Sequence, residues 1–100
     1  MFDDAIRLAT KLLESDDYYL NIVMNLCQIG NKKYGQCWNT EFHVFGVISS
    51  DTDHLPLIHV RERCSAEFLV KSDKELAEIV EYYRSDVVIA CNLIVSSKNV

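Results

Sequence analysis

The stretch Trp38-Asn39-Thr40-Glu41-Phe42-His43-Val44-Phe45-Gly46-Val47-Ile48-Ser49 decides the fold that the sequence presents. Its even positions (Trp38, Thr40, Phe42, Val44, Gly46, Ile48) read as a core face, and Asn39, Glu41, His43, Phe45 and Val47 as a mixed one. A period of two predicts a strand. The run from Ser49 to His54 is rich in turn formers, and Pro56 can open a strand because it has no hydrogen to donate. Residues 57–64 then predict the returning strand. In that hairpin Glu41 stands opposite Arg63, His43 opposite Arg61 and Phe45 opposite His59, with Val44 against Val60 on the other face.

Outward from the hairpin, residues 2–14 predict a helix. Phe2, Ala5, Ile6, Ala9, Leu12 and Leu13 recur at helical spacing, and Asp3 and Asp4 suit its positive end. Ser15-Asp16-Asp17 breaks it. Residues 17–29 predict a second helix, with Asn21, Asn25 and Gln28 on one polar face and Gly30 as its C-terminal glycine. The two form a candidate helical hairpin, followed by a loop over 31–36. On the other side, residues 66–71 predict a short third strand. Ser72-Asp73-Lys74-Glu75 has the Ser-x-x-Glu pattern of a capping box and opens a helix to about Arg84, which buries Leu76, Ile79, Val80 and Tyr83. Residues 86–96 predict the last strand; Val87-Val88-Ile89-Ala90-Cys91 does not alternate, so this strand is placed centrally, covered on both faces. The tail, residues 97–100, is expected to fray. The order α-α-β-β-β-α-β predicts a single α+β domain over residues 1–100, a mixed sheet of three to four strands packed with helices.

The 100 residues are one domain's length, and 49% apolar with 25% charged is a globular balance. The longest apolar runs fall far short of a bilayer span, and the acidic start is unlike an export signal, so the expected location is cytoplasmic. Cys27, Cys37, Cys64 and Cys91 form no Cys-x-x-Cys pair and are expected to be free thiols. The formal net charge is −5. Residues 1–29 carry five acids and two bases, and residues 72–100 five acids and three bases. This disfavours binding to a phosphate backbone and suits a basic protein partner.

Chemistry-bearing sets are sparse. Cys37, His43, His54, His59 and Cys64 match no zinc spacing, so no metal or other cofactor is expected. Ser49 and Ser50 lie near His54 without a nucleophile elbow, and three glycines build no phosphate-binding loop. An enzyme is therefore not the expectation. The order α-β-β-β-α-β over 17–96, with Phe68-Leu69-Val70-Lys71-Ser72 before a helix and an apolar strand, resembles the core of restriction-endonuclease-like nucleases. That family carries an acid two residues before its lysine; here that position is Leu69, and Glu67 lies four residues before Lys71. The resemblance implies a fold and at most a degenerate nuclease-like or small-ligand site, on the hairpin face of Glu41, His43, His59, Arg61 and Arg63.

Acidic helix faces carrying an aromatic residue point elsewhere. Glu75, Glu78 and Glu81 with Tyr82, and Tyr18 beside Asp16 and Asp17, are expected to bind a protein. In size and charge the chain resembles the small acidic immunity or inhibitor proteins of bacteria, which implies a non-enzymatic role in occluding a basic partner. A homodimer that covers residues 86–96 with a second copy is the further alternative.

Overall fold

The computed structural model of the chain describes residues 2–57 and 59–96. Four helices carry it: α1 (Phe2–Glu14), α2 (Tyr19–Tyr34), α3 (His43–Asp51) and α4 (Ala66–Ser96), with a 3-10 turn at Arg61–Arg63 before the last. Among the described residues there is no strand. The expected α+β fold, its mixed sheet and the hairpin register are therefore corrected to an all-helical bundle. The expected fraying of residues 97–100 lies outside the described residues.

The physical reason is clearest at 38–49. Phe42 and Phe45 are both fully buried, whereas a strand would have sent them to opposite faces. Phe42, Phe45, Ile48 and Thr52 recur at spacings of three and four, and all are buried. Thr40 sets the helix entry: its hydroxyl donates to the Cys37 carbonyl at 2.5 Å and accepts from the Phe42 amide at 3.1 Å. The β-branched and aromatic residues that suggested a strand carry only a weak preference, which packing overrides.

The same ambiguity governs the C-terminal third. Residues 66–96 contain neither glycine nor proline, and they form one helix of 31 residues. It opens at Ser65, whose hydroxyl accepts from the Phe68 amide at 3.1 Å. Ser72, expected to cap a helix, is instead buried inside one. The expected central strand is the last part of α4. Val87, Ala90, Cys91 and Ile94 face inward at helical spacing while Val88, Ile89 and Leu93 face out. A short unbroken apolar run does not distinguish the two structures by its period.

The two N-terminal helices form, but the second runs over Tyr19–Tyr34 and not 17–29, so most of the loop expected at 31–36 is helical. Gly30 does not end α2. A Cβ there would lie 2.6 Å from the Cβ of Phe42, so this glycine permits a close approach to the α2–α3 connection. The helix runs on to Gly35, whose φ of 81° supplies the left-handed end.

Each helix packs on two others, α1 on α2, α2 on α3, α3 on α4 and α4 back on α1. The ring encloses one core, to which Leu26, Phe45 and Ile94 contribute fully buried side chains. At about 1.5 Å per residue α4 is roughly 46 Å long, which matches the molecule's longest dimension of 47 Å. Its first turns carry no buried residue before Ser72 and stand clear of the core.

Candidate docking surface on the fourth helix

α4 presents a continuous outer stripe. Glu75, Glu78, Tyr82, Asp86, Ile89 and Leu93 fall within roughly 80° of one another at 100° per residue. All six are exposed. The stripe is acidic over its first half and apolar over its second, where Ile89 and Leu93 keep 60% and 55% of their surface in solvent. At i, i+4 these two aliphatics adjoin on the helix surface and form one apolar patch.

The apolar half is the wall of a groove. Val44 and Val47 of α3 face Ile89, Ala90 and Leu93 of α4 across a space of about 330 Å³. Its rim is polar and acidic, formed by Thr40, Glu41, His43, Tyr83 and Asp86. Several of these are fixed in place. The Tyr34 hydroxyl donates to Glu41 Oε2 at 3.0 Å. The Asn39 amide donates to His43 Nδ1 at 3.0 Å, so in the neutral ring the remaining proton sits on Nε2. Trp38 packs edge-on against the His43 ring, with centroids 5.2 Å apart. The Tyr83 hydroxyl donates to Asp51 at 2.5 Å, and that carboxylate pushes the phenol up to about 12. Tyr82, 78% exposed, stands edge-on to Tyr83.

The structure divides the sequence-predicted interaction set. Glu75, Glu78 and Tyr82 share the stripe. Glu81 does not; it accepts from Arg84 at 2.7 Å, and Arg84 also reaches Asp16 at 3.2 Å, tying α4 to the α1–α2 turn. The guanidinium beside it holds the Glu81 carboxyl below its usual range. Tyr18 is exposed on that turn with a left-handed φ of 56°. It lines a different hollow of about 470 Å³ with Asp16, Asp17, Pro56, Arg61 and Leu76. That space is larger than the α3–α4 groove, yet the cation lining it is engaged: Arg61 donates two hydrogen bonds to Asp73, at 2.7 and 3.0 Å. Glu75 has a partner of its own, His54 Nε2 at 2.7 Å, which raises the imidazole's pKa.

The alternative ligand face is dispersed. Glu41 and His43 flank the α3–α4 groove, while Arg61 sits with Asp73 beside the α1–α2 turn, and His59 and Arg63 lie exposed around the 3-10 turn. The cross-strand pairs that would have joined them do not form, because the hairpin is absent. Glu67 and Lys71 lie on the exposed first turns of α4, so the nuclease-like arrangement has no sheet to stand on. Among the described residues no three His, Cys, Asp or Glu side chains gather to hold a metal ion, and no helix is long and apolar enough to cross a membrane.

Ile89, Leu93, Asp86 and Val44 were not anticipated as surface residues, whereas Val47 was read on the mixed face of the expected hairpin. The signal for them was present: Phe68, Glu75, Tyr82 and Ile89 recur every seven residues, which marks one helix face once 66–96 is read as a single helix. Compared with known protein families, curated proteins and solved structures, the chain matches none.

Proposed function

We propose that this chain is a non-enzymatic protein-interaction domain whose α4 stripe and α3–α4 groove receive an amphipathic helix bearing basic residues. The observation that carries the reading is the juxtaposition on one face of exposed Ile89 and Leu93 with Glu75, Glu78, Glu41 and Asp86. An apolar anchor seated in the groove would supply affinity, and the acids would select and steer a basic segment. Charge complementarity favours this occupant over a second copy. Two copies at net charge −5 would bring like-charged stripes together, which opposes association. A basic toxin or enzyme held by such a helix would make the chain an inhibitor-type protein, the narrower form of the reading.

The test uses two synthetic helical peptides with the same Leu and Ile face, one flanked by lysines and one by glutamates. The lysine peptide is expected to bind and to weaken with salt, and Leu93→Asp is expected to reduce its affinity at least tenfold. Equal binding of both peptides, or binding indifferent to Leu93→Asp and Ile89→Asp, refutes the reading. Sedimentation of the free chain as a concentration-dependent dimer that Leu93→Asp dissociates would assign the face to a second copy instead.

A further inference from the structure

Two thiols ten residues apart in the sequence approach each other at the α2–α3 junction. Cys27 Sγ on α2 lies 4.0 Å from Cys37 Sγ in the following connection. A disulfide bond is about 2.05 Å long, so a closure of roughly 2 Å would join them. The approach is built into the fold on both sides. Gly46 of α3 stands against Cys37, where a Cβ would lie 2.6 Å from the sulfur. Gly30 brings the next turn of α2 against Phe42. Cys37 is buried and Cys27 partly exposed, so one sulfur is reachable from solvent and the other waits behind it. The remaining thiols have no such arrangement: Cys91 is fully buried, and Cys64 donates to the Val60 carbonyl at 3.6 Å.

We propose that Cys27 and Cys37 are a reversible redox modification site, oxidised to an intramolecular disulfide by small disulfides of the oxidised-glutathione class. Cys27 gives its proton to solvent, and its thiolate attacks one sulfur of the oxidant. The oxidant's S–S bond breaks, and one small thiolate leaves with the electron pair and takes up a proton. Cys37, deprotonated in turn, attacks the Cys27 sulfur of the mixed disulfide and expels the second small thiol. The protein pair loses two electrons and two protons, and the oxidant becomes two thiols; excess small thiol reverses both steps. Burial, together with the neighbouring Cys37, pushes the Cys27 thiol up to about 11. Thiolate is scarce at neutral pH, so oxidation is slow there and speeds up as the pH rises.

The experiment treats the purified full chain with oxidised glutathione at pH 8 and digests it with trypsin without reduction. The expected product is peptide 12–32 joined to peptide 34–61 and separable by dithiothreitol. Trp38, the single tryptophan, adjoins Cys37, and its emission is expected to change on oxidation and to recover on reduction. Cys37→Ser is expected to stop at glutathione carried on Cys27. The oxidised chain is expected to melt higher, by on the order of 10 °C, as a short closed loop predicts. Unjoined peptides in a sample whose Cys64 has taken up glutathione would overturn the proposal, since the oxidant was then active. Joining only in urea, or a lower melting temperature once joined, would overturn it equally.

Discussion

Replacing Gly46 by alanine sets two opposed effects against each other. Within a helix such a change ordinarily stabilises by about 1 kcal/mol. Here the new Cβ would lie 2.6 Å from the Cys37 sulfur and 3.2 Å from the Trp38 ring. The ring edge can give by a few tenths of an ångström, but the sulfur is buried between α2 and α3 and would have to be displaced within that packing. Overpacking of this kind costs about 1–3 kcal/mol, and a sulfur overlapped so deeply belongs at the upper end. Gly46→Ala is therefore expected to destabilise by roughly 2 kcal/mol net. Cys37→Ala, which removes one buried heavy atom, is expected to cost about 1 kcal/mol. The double variant places the new methyl group where the sulfur was, so its cost is expected to fall below about 1 kcal/mol against an additive sum near 3. Urea unfolding followed by circular dichroism at 222 nm gives each corner of the cycle. A stabilised single Gly46→Ala, or strict additivity in the double variant, would refute the claim that this glycine exists to seat the thiol.

Further expectations concern hydroxyls and ion pairs. The Tyr19 hydroxyl is buried with no hydrogen-bond partner among the described residues, so Tyr19→Phe is expected to stabilise by about 1 kcal/mol in the same assay; a loss of that size would mean the hydroxyl is satisfied. Tyr19, through burial, and Tyr83, through Asp51, have phenols raised from 10 to about 12. Unfolding releases those protons near pH 10, so this contribution to stability is complete below pH 10 and is lost as the pH rises through 12. Absorbance at 295 nm should show two late phenols, one of which disappears in Tyr83→Phe. His54 has its pKa raised above 6.5 by the hydrogen bond to Glu75. Its contribution is complete below pH 6.5 and is lost as the pH rises through the folded-state value. Proton NMR titration should find Glu75→Gln lowering the His54 pKa, and an unchanged pKa would remove the pair from the account.

The second helix was legible from its polar face, Asn21, Asn25 and Gln28, and the first because its apolar residues repeat at a single period. Ala5, Ala9 and Leu12 fit only a helix, and all three are buried. Residues 38–49 fit two periods. Val44 and Ile48 satisfy alternation, and Phe42, Phe45 and Ile48 satisfy helical spacing; the burial of Phe45 decided between them. Nothing local to the sequence reports that burial. The C-terminal third failed through punctuation. Ser72-Asp73-Lys74-Glu75 is a sound capping pattern, but Ser65 starts the helix seven residues earlier and nothing afterwards interrupts it. Part of the candidate surface survived the wrong fold, because Glu75, Glu78 and Tyr82 sat on a predicted helix that exists. Ile89 and Leu93 were hidden by their assignment to a buried strand. The hairpin face was divided: Glu41 and His43 stay together at the groove, whereas His59, Arg61 and Arg63 had only strand pairing to bring them there.

The closed ring of helices also bears on how the chain reaches its structure. Three of its joints link consecutive elements, but the fourth brings α1 against α4 with about fifty residues between them. Closing a loop of that length costs more chain entropy than forming the local joints, and only contacts made after closure compensate for it. Substitutions that weaken the α1–α4 contact are therefore expected to speed unfolding more than they slow folding, while changes between α2 and α3 do the reverse. The bundle would assemble around its central pair of helices and be sealed last by α4, the element that also carries the exposed stripe.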